Sequence, residues 1–299
     1  MKTRITKIWK DRIFQVGLAI IAGLFTIAAV IMGWILSNKS APENEQSIRP
    51  SLPDSGIIMV LVPAGDFLMG TDNSEVDILI TDHSEWQRDW FSNETPKRKV
   101  YLVSFFISKY EITNEQYGKF LKAHPEYHPP PYWNNQDFNQ PKQPIVGLDW
   151  NDAIIYCDWL TEKTGKDYKL PTEAQWERAA RGKDARIFPW GQDFPNWKAN
   201  FQNQAKAPLS VGTFPSGTNE LGLFDMAGNV AEWCSDWYDE VYYHSALNSN
   251  PQGSRSGHEK VVRGGSWQDV AFYLRCAARM KYEPNTHKET IGFRIVIQP

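Results

Sequence analysis

Between Gly222 and Trp233 the chain reads GLFDMAGNVAEW, with two carboxylates, Asp225 and Glu232, seven residues apart on either side of Gly228. Hard divalent cations take oxygen ligands, and a glycine turn between two acids leaves backbone carbonyls free to complete the set. Calcium is the cofactor such a pattern suits. The competing reading is a turn held by its own side chains, with Glu232 and Asn229 bonding the local backbone.

Thiol and imidazole chemistry has less to draw on. Cys157, Cys234 and Cys276 form no CxxC pair and share no zinc-type spacing with histidine. Three buried thiols acting as small apolar side chains is the simplest reading. His83, His124, His128, His244, His258 and His287 are scattered through polar segments. The prolines after His128 rule out a helix face shared with His124. No GxSxG, phosphate loop or dinucleotide fingerprint occurs. A net charge of -3 supplies no basic footprint, so nucleic acid is set aside as a partner.

The elements that must position these residues follow a membrane segment. Residues 13–36, IFQVGLAIIAGLFTIAAVIMGWIL, carry no charge and are long enough for a helix to cross a hydrocarbon core of ~30 Å. The preceding stretch, 1–12, holds Lys2, Arg4, Lys7, Lys10 and Arg12 against Asp11. The positive-inside rule then keeps the N-terminus in the cytoplasm and exports the rest, giving a single-pass inner-membrane protein with its domain in the periplasm or outside. A cleaved signal peptide fits less well, because its apolar region is shorter and a small-residue cleavage site follows it. Residues 37–55 read as a solvated tether, and residues 56–299 as the folded domain.

Within that domain, Ile57–Gly70 reads as a first hairpin around Pro63-Ala64-Gly65, Thr71–Pro96 as a long surface loop, and Val100–Thr113 as one strand. Thr113 and Gln116 have capping-box spacing ahead of a helix over 114–122. The proline-rich run His124–Trp133 should lie extended over the surface. A second helix is expected over 151–163, capped by Asp149 or Asn151 and ended by Gly165. A third opens on the Thr172/Gln175 box, runs to Arg181 and stops at Gly182. Beyond Trp190 only short strands and turns are expected. The whole is a single α+β domain with short sheets, few helices and much irregular structure.

The motifs VPAGDFLMG, YEITNEQYGKFL, PIVGLDWNDAIIYCDWL, KLPTEAQWERAARG, FPWG, GLFDMAGNVAEW, VRGGSW, RCAAR and IGFR occur in this order over 57–297. In this the chain closely resembles the formylglycine-generating enzymes, also called the sulfatase-modifying factor family. The resemblance implies that family's C-type-lectin-related fold. It also implies a calcium site formed by the side chains of Asp225 and Glu232 with the carbonyls of Gly228 and Val230. A second calcium site is implied at Asn200, although the loop that should complete it is reduced to QNQAKAP.

Family members oxidise a substrate cysteine with copper(I) held by two cysteines between the GGS turn and RCAAR, a soft pair suited to that ion. Here that interval, Trp267 to Arg275, reads WQDVAFYLR and contains no cysteine. Copper is therefore not expected, and no catalytic residue is assigned. By the same resemblance the usual disulfide partners of Cys276 and Cys157 are replaced by Ala180 and Ile295. Ser266, Asp269, Arg275, Arg279 and Arg294 remain as polar residues near the family's cleft, where arginines more often brace loops than act on substrate. The anchor, the intact scaffold and the cysteine-free interval Trp267 to Arg275 together point to a membrane-anchored accessory or maturation factor for an envelope protein or complex. The alternatives are an oxidoreductase using the same cleft and a calcium-dependent ligand-binding module.

Overall fold

The computed structural model describes residues 56–298. The expected basic N-terminus at 1–12, anchor at 13–36 and tether at 37–55 lie outside the described residues. No helix among the described residues is long and apolar enough to cross a membrane.

The described residues form four α-helices: α1 (Asn73–Asp82), α2 (Asn114–Ala123), α3 (Trp150–Thr164) and α4 (Glu173–Arg181). Each begins with a reciprocal capping box, at Asp72/Glu75, Thr113/Gln116, Asp149/Asp152 and Thr172/Gln175. Each box satisfies two otherwise orphaned N–H groups, and losing such a cap costs about 1 kcal/mol. Gly165, at φ 71°, closes α3 in the left-handed conformation.

Ten short strands among the described residues form three sheets. β1 (Met59–Val62), β4 (Phe105–Ser108), β10 (Val296–Ile297) and β5 (Tyr168–Lys169) lie side by side in that order, all antiparallel. β2 (Gly65–Met69) pairs with β3 (Arg98–Leu102). β8 (Met280–Tyr282), β7 (Lys260–Arg263), β6 (Ala231–Trp237) and β9 (Ile291–Gly292) make the third sheet, with β9 parallel to β6.

Three sequence expectations are corrected. The run 57–70 is not a hairpin: β1 pairs with β4 and β2 with β3, so the Pro-Ala turn carries the chain from one sheet to another. Val100–Thr113 is two strands rather than one, broken at Val103 and Ser104 by the return to the first sheet. Thr71–Pro96 is no loose loop. It holds α1 and a 3-10 turn at Arg88–Glu94, and buries Val76, Leu79, Trp86 and Phe91. Its polar sequence hid a capping box and a narrow apolar face.

The described residues fold as one α+β unit. At its centre lies α4, all nine residues of which are buried, including Glu173, Gln175, Glu177, Arg178 and Arg181. A buried charge is costly unless paired, and here most are. Arg279 Nε donates to Glu173 Oε1 at 2.7 Å, Arg181 Nη1 donates to Glu177 Oε1 at 2.9 Å, and Arg263 Nη2 donates to Glu177 Oε2. Glu177 also accepts the Gly70 N–H at 2.8 Å. The helix thereby ties β2, β7 and the 275–279 loop to one rod.

Candidate functional site

The motif with metal-ligand spacing folds as a tight turn entering β6. Asp225, Gly228 and Asn229 take left-handed backbone angles of 55°, 76° and 61°. Gly228 is required there twice over, since a Cβ would also lie 2.4 Å from the Asn200 carbonyl oxygen. That carbonyl accepts the Asn229 N–H at 2.8 Å, which locks the turn to the Asn200 segment.

Neither acid bonds its own turn. Both oxygens of Glu232 face Arg294, which donates from Nε to Oε2 at 2.6 Å and from Nη2 to Oε1 at 2.7 Å. Trp176 Nε1 donates to the same Oε2 at 2.7 Å. Asp225 accepts the Gly212 N–H at 2.7 Å. Asn229 donates to Glu111 Oε1 at 3.1 Å and accepts the Leu209 N–H at 2.8 Å.

Glu111, which sequence reasoning missed, is fully buried beside Asp225. Burial, and then the charge of Asp225, push its carboxyl well above the usual range. Burial likewise pushes Asp225 up to about 6. The cluster thus sets Glu111, Asp225 and Glu232 around one guanidinium, with Glu111 Oε2 and Asn200 Oδ1 left without partners. Surplus negative charge and orphaned oxygens fit a hard dication. The fit is one of charge and donor type: among the described residues no three His, Cys, Asp or Glu side chains converge as a ready metal cage. Carbonyls such as those of Gly228 and Val230 would have to complete the shell. Asn200 is buried, and its Nδ2 donates to Ala207 at 2.9 Å.

The cysteine-free interval is taken up by two successive turns. Ser266 donates from N and Oγ to Asp269 Oδ2 at 2.8 and 2.6 Å, forming a turn, and a 3-10 turn over Ala271–Leu274 buries Phe272. Cys157, Cys234 and Cys276 are free and fully buried. Burial pushes the Cys276 thiol up to about 12 and raises the other two. A thiolate is the nucleophile and the soft-metal ligand, and none of the three offers one near neutral pH.

The other expected cleft residues are buried and committed. Arg275 Nη1 and Nη2 donate to Glu94 at 2.9 and 2.5 Å, Arg279 holds Glu173, and Arg294 holds Glu232. A cleft of roughly 340 Å³ opens between α1 and the loop after α4, walled by Leu79, Arg181, Arg186, Ile187 and Arg275. Of the five expected residues Arg275 alone reaches it, while Ser266, Asp269, Arg279 and Arg294 brace loops elsewhere.

Residues 45–299 match the sulfatase-modifying factor enzyme 1-like domain. The serine/threonine-protein kinase pkn1 of Chlamydia pneumoniae is 34% identical over 85% of this chain, but the chain spans only 39% of that protein. The formylglycine-generating enzyme of Streptomyces coelicolor is 31% identical over 85% of this chain and 95% of its own length. The structure of PvdO from Pseudomonas aeruginosa superposes with a TM-score of 0.68 at 28% identity, covering 81% of this chain and 94% of that one. With β6, its ion pairs and the ordered motifs laid on a shared fold, this chain belongs to the sulfatase-modifying factor enzyme 1-like family.

Proposed function

We propose that this protein is a membrane-anchored, extracytoplasmic member of the family that acts by binding an envelope protein rather than by oxidising a cysteine. The observation that carries this reading is the interval Trp267–Arg275, taken up by turns and without a thiol, while every cysteine of the chain is buried and its thiol pushed up by burial. Copper(I) selects soft thiolate ligands, and this chain presents none. The uncharged segment 13–36 supports the anchor, with the N-terminus inside.

Calcium has a structural part in the proposal. It would draw on Asp225, Glu111 and the carbonyls of Gly228 and Val230, and would lock the turn that leads into β6. A second reading, chemistry on a small anion, draws on the cleft beside Arg181 and Arg186, where Arg181 Nε has no acceptor.

Two measurements test the proposal. The full-length chain, supplied with copper(I), oxygen and a cysteine-containing peptide, is expected to return the peptide unchanged by mass. In-cell crosslinking followed by mass spectrometry is expected to yield the same envelope protein from independent preparations. Conversion of the peptide cysteine to formylglycine would refute the first half, and recovery of no envelope protein the second.

A further inference from the structure

Residues 202–204 run directly over the 267–269 turn. Gln202 and Asn203 hold left-handed angles of 52° and 58°, a strained state for residues with side chains. Two bonds fix them there: Gln202 N–H to the Asp269 carbonyl at 2.9 Å and Asn203 N–H to the Trp267 carbonyl at 2.7 Å. The effect is to hold both carboxamides out in solvent beside Gln268, which is also exposed.

The surface continues into aromatic side chains. Val270 is 45% exposed and its carbonyl accepts the Tyr273 N–H at 3.0 Å, which sets these two residues one turn apart. Tyr273 is 37% exposed and Trp90 41%. Both pack edge-on against the buried Phe272, at 5.3 Å and 90° and at 5.1 Å and 79° between rings. Phe272 is therefore a fixed base for two half-exposed rings.

The platform's own side chains are neutral, with the Glu289 carboxylate at its edge, where Oε1 accepts from Gln268 Nε2 at 3.4 Å. The carboxylate of Asp269 is turned inward onto Ser266 N and Oγ. Flat aromatic faces take the C–H faces of pyranose rings, and carboxamides both donate to and accept from neighbouring hydroxyl or acetamido groups. An anionic ligand would find no cation among these side chains.

We propose that this platform binds a linear neutral glycan, with sugar rings against Trp90 and Tyr273 and their polar groups bonded to Gln202, Asn203 and Gln268. The proposal goes beyond the accessory role above and stands whether or not a protein partner is found.

The test is calorimetric titration of the full-length chain, in a detergent without a sugar headgroup, with chitotetraose as probe. Saturable binding is expected. Trp90→Ala should weaken it at least about fivefold, the scale of one lost aromatic contact. Val270→Glu, a change at an exposed position that places charge and bulk on the platform, should weaken it at least as much and leave the fold intact. Tyr101→Ala removes an aromatic that is 41% exposed but lies outside the platform, and should change nothing. Three results would overturn the proposal: no saturable binding by the folded chain, binding that survives Val270→Glu, or preferential binding of an extended peptide that this variant abolishes.

Discussion

Arg275 grips Glu94 with both ends of its guanidinium, at 2.9 and 2.5 Å, across 181 residues of sequence. The pair is buried, and the Arg275 side chain also lies 4.0 Å from the centre of the Phe272 ring. It therefore fixes the 3-10 turn at 88–94 to the interval that follows the GGS turn.

Removing one partner of a buried ion pair leaves an unpaired buried charge. Glu94→Gln or Arg275→Met alone should each destabilise the domain by about 3–5 kcal/mol, whereas Glu94→Leu combined with Arg275→Met should recover much of that loss. Denaturant midpoints of the three variants decide it. A double variant no better than the singles would mean that the pair is not the energetic link.

Stability should fall as pH rises from about 4 to 7. Burial, and then the charge of Glu173, lift Asp236 from 3.8 to about 7. A folded-state pKa above the unfolded value means a contribution that is complete below 3.8 and disappears as pH rises through about 7. Glu173 works in the other direction. Burial opposes its ionisation, yet Arg279 and Arg263 hold it below its ordinary 4.5, so its contribution is lost as pH falls beneath that. Melting temperatures should thus peak at about pH 4, and Asp236→Asn should flatten the slope above it. An unchanged slope in that variant would rule Asp236 out.

Native protein should release no rapid thiol signal with a disulfide reagent, and all three thiols should titrate only after unfolding. One thiol reacting fast in the folded state would reopen the question of redox chemistry.

If the acid cluster takes calcium, the ion should raise the melting temperature and a chelator should reverse the shift. Saturation at a hundred times Kd corresponds to about 2.7 kcal/mol. Asp225→Asn should abolish the response while remaining folded. A response that persists in this variant would place the ion elsewhere.

Local signals in the sequence were readable because their physics is local. Thr113, Asp149 and Thr172 cap helices within three residues of themselves, and Gly165 ends α3 through its own backbone. What escaped depends on distant partners. The start and end of α4 were legible in its own residues, but the burial of its charges depends on arginines up to 106 residues away. Glu111 sits in an unremarkable YEIT junction, and its importance appears only when Asn229 arrives from 118 residues further on. The false hairpin at 57–70 arose in the same way, since each strand's partner is chosen by the sheet and not by the turn.

The arginine–carboxylate pairs have a kinetic side as well. They close loops of 62, 86, 106 and 181 residues. Contacts so far apart in sequence slow folding, because chain entropy is lost before any of them can form. If they form after the folding transition state, breaking them falls on the unfolding side of the barrier. The same arginines that make this domain slow to assemble would then keep it slow to come apart, so its lifetime would be governed by a rate more than by a free-energy difference.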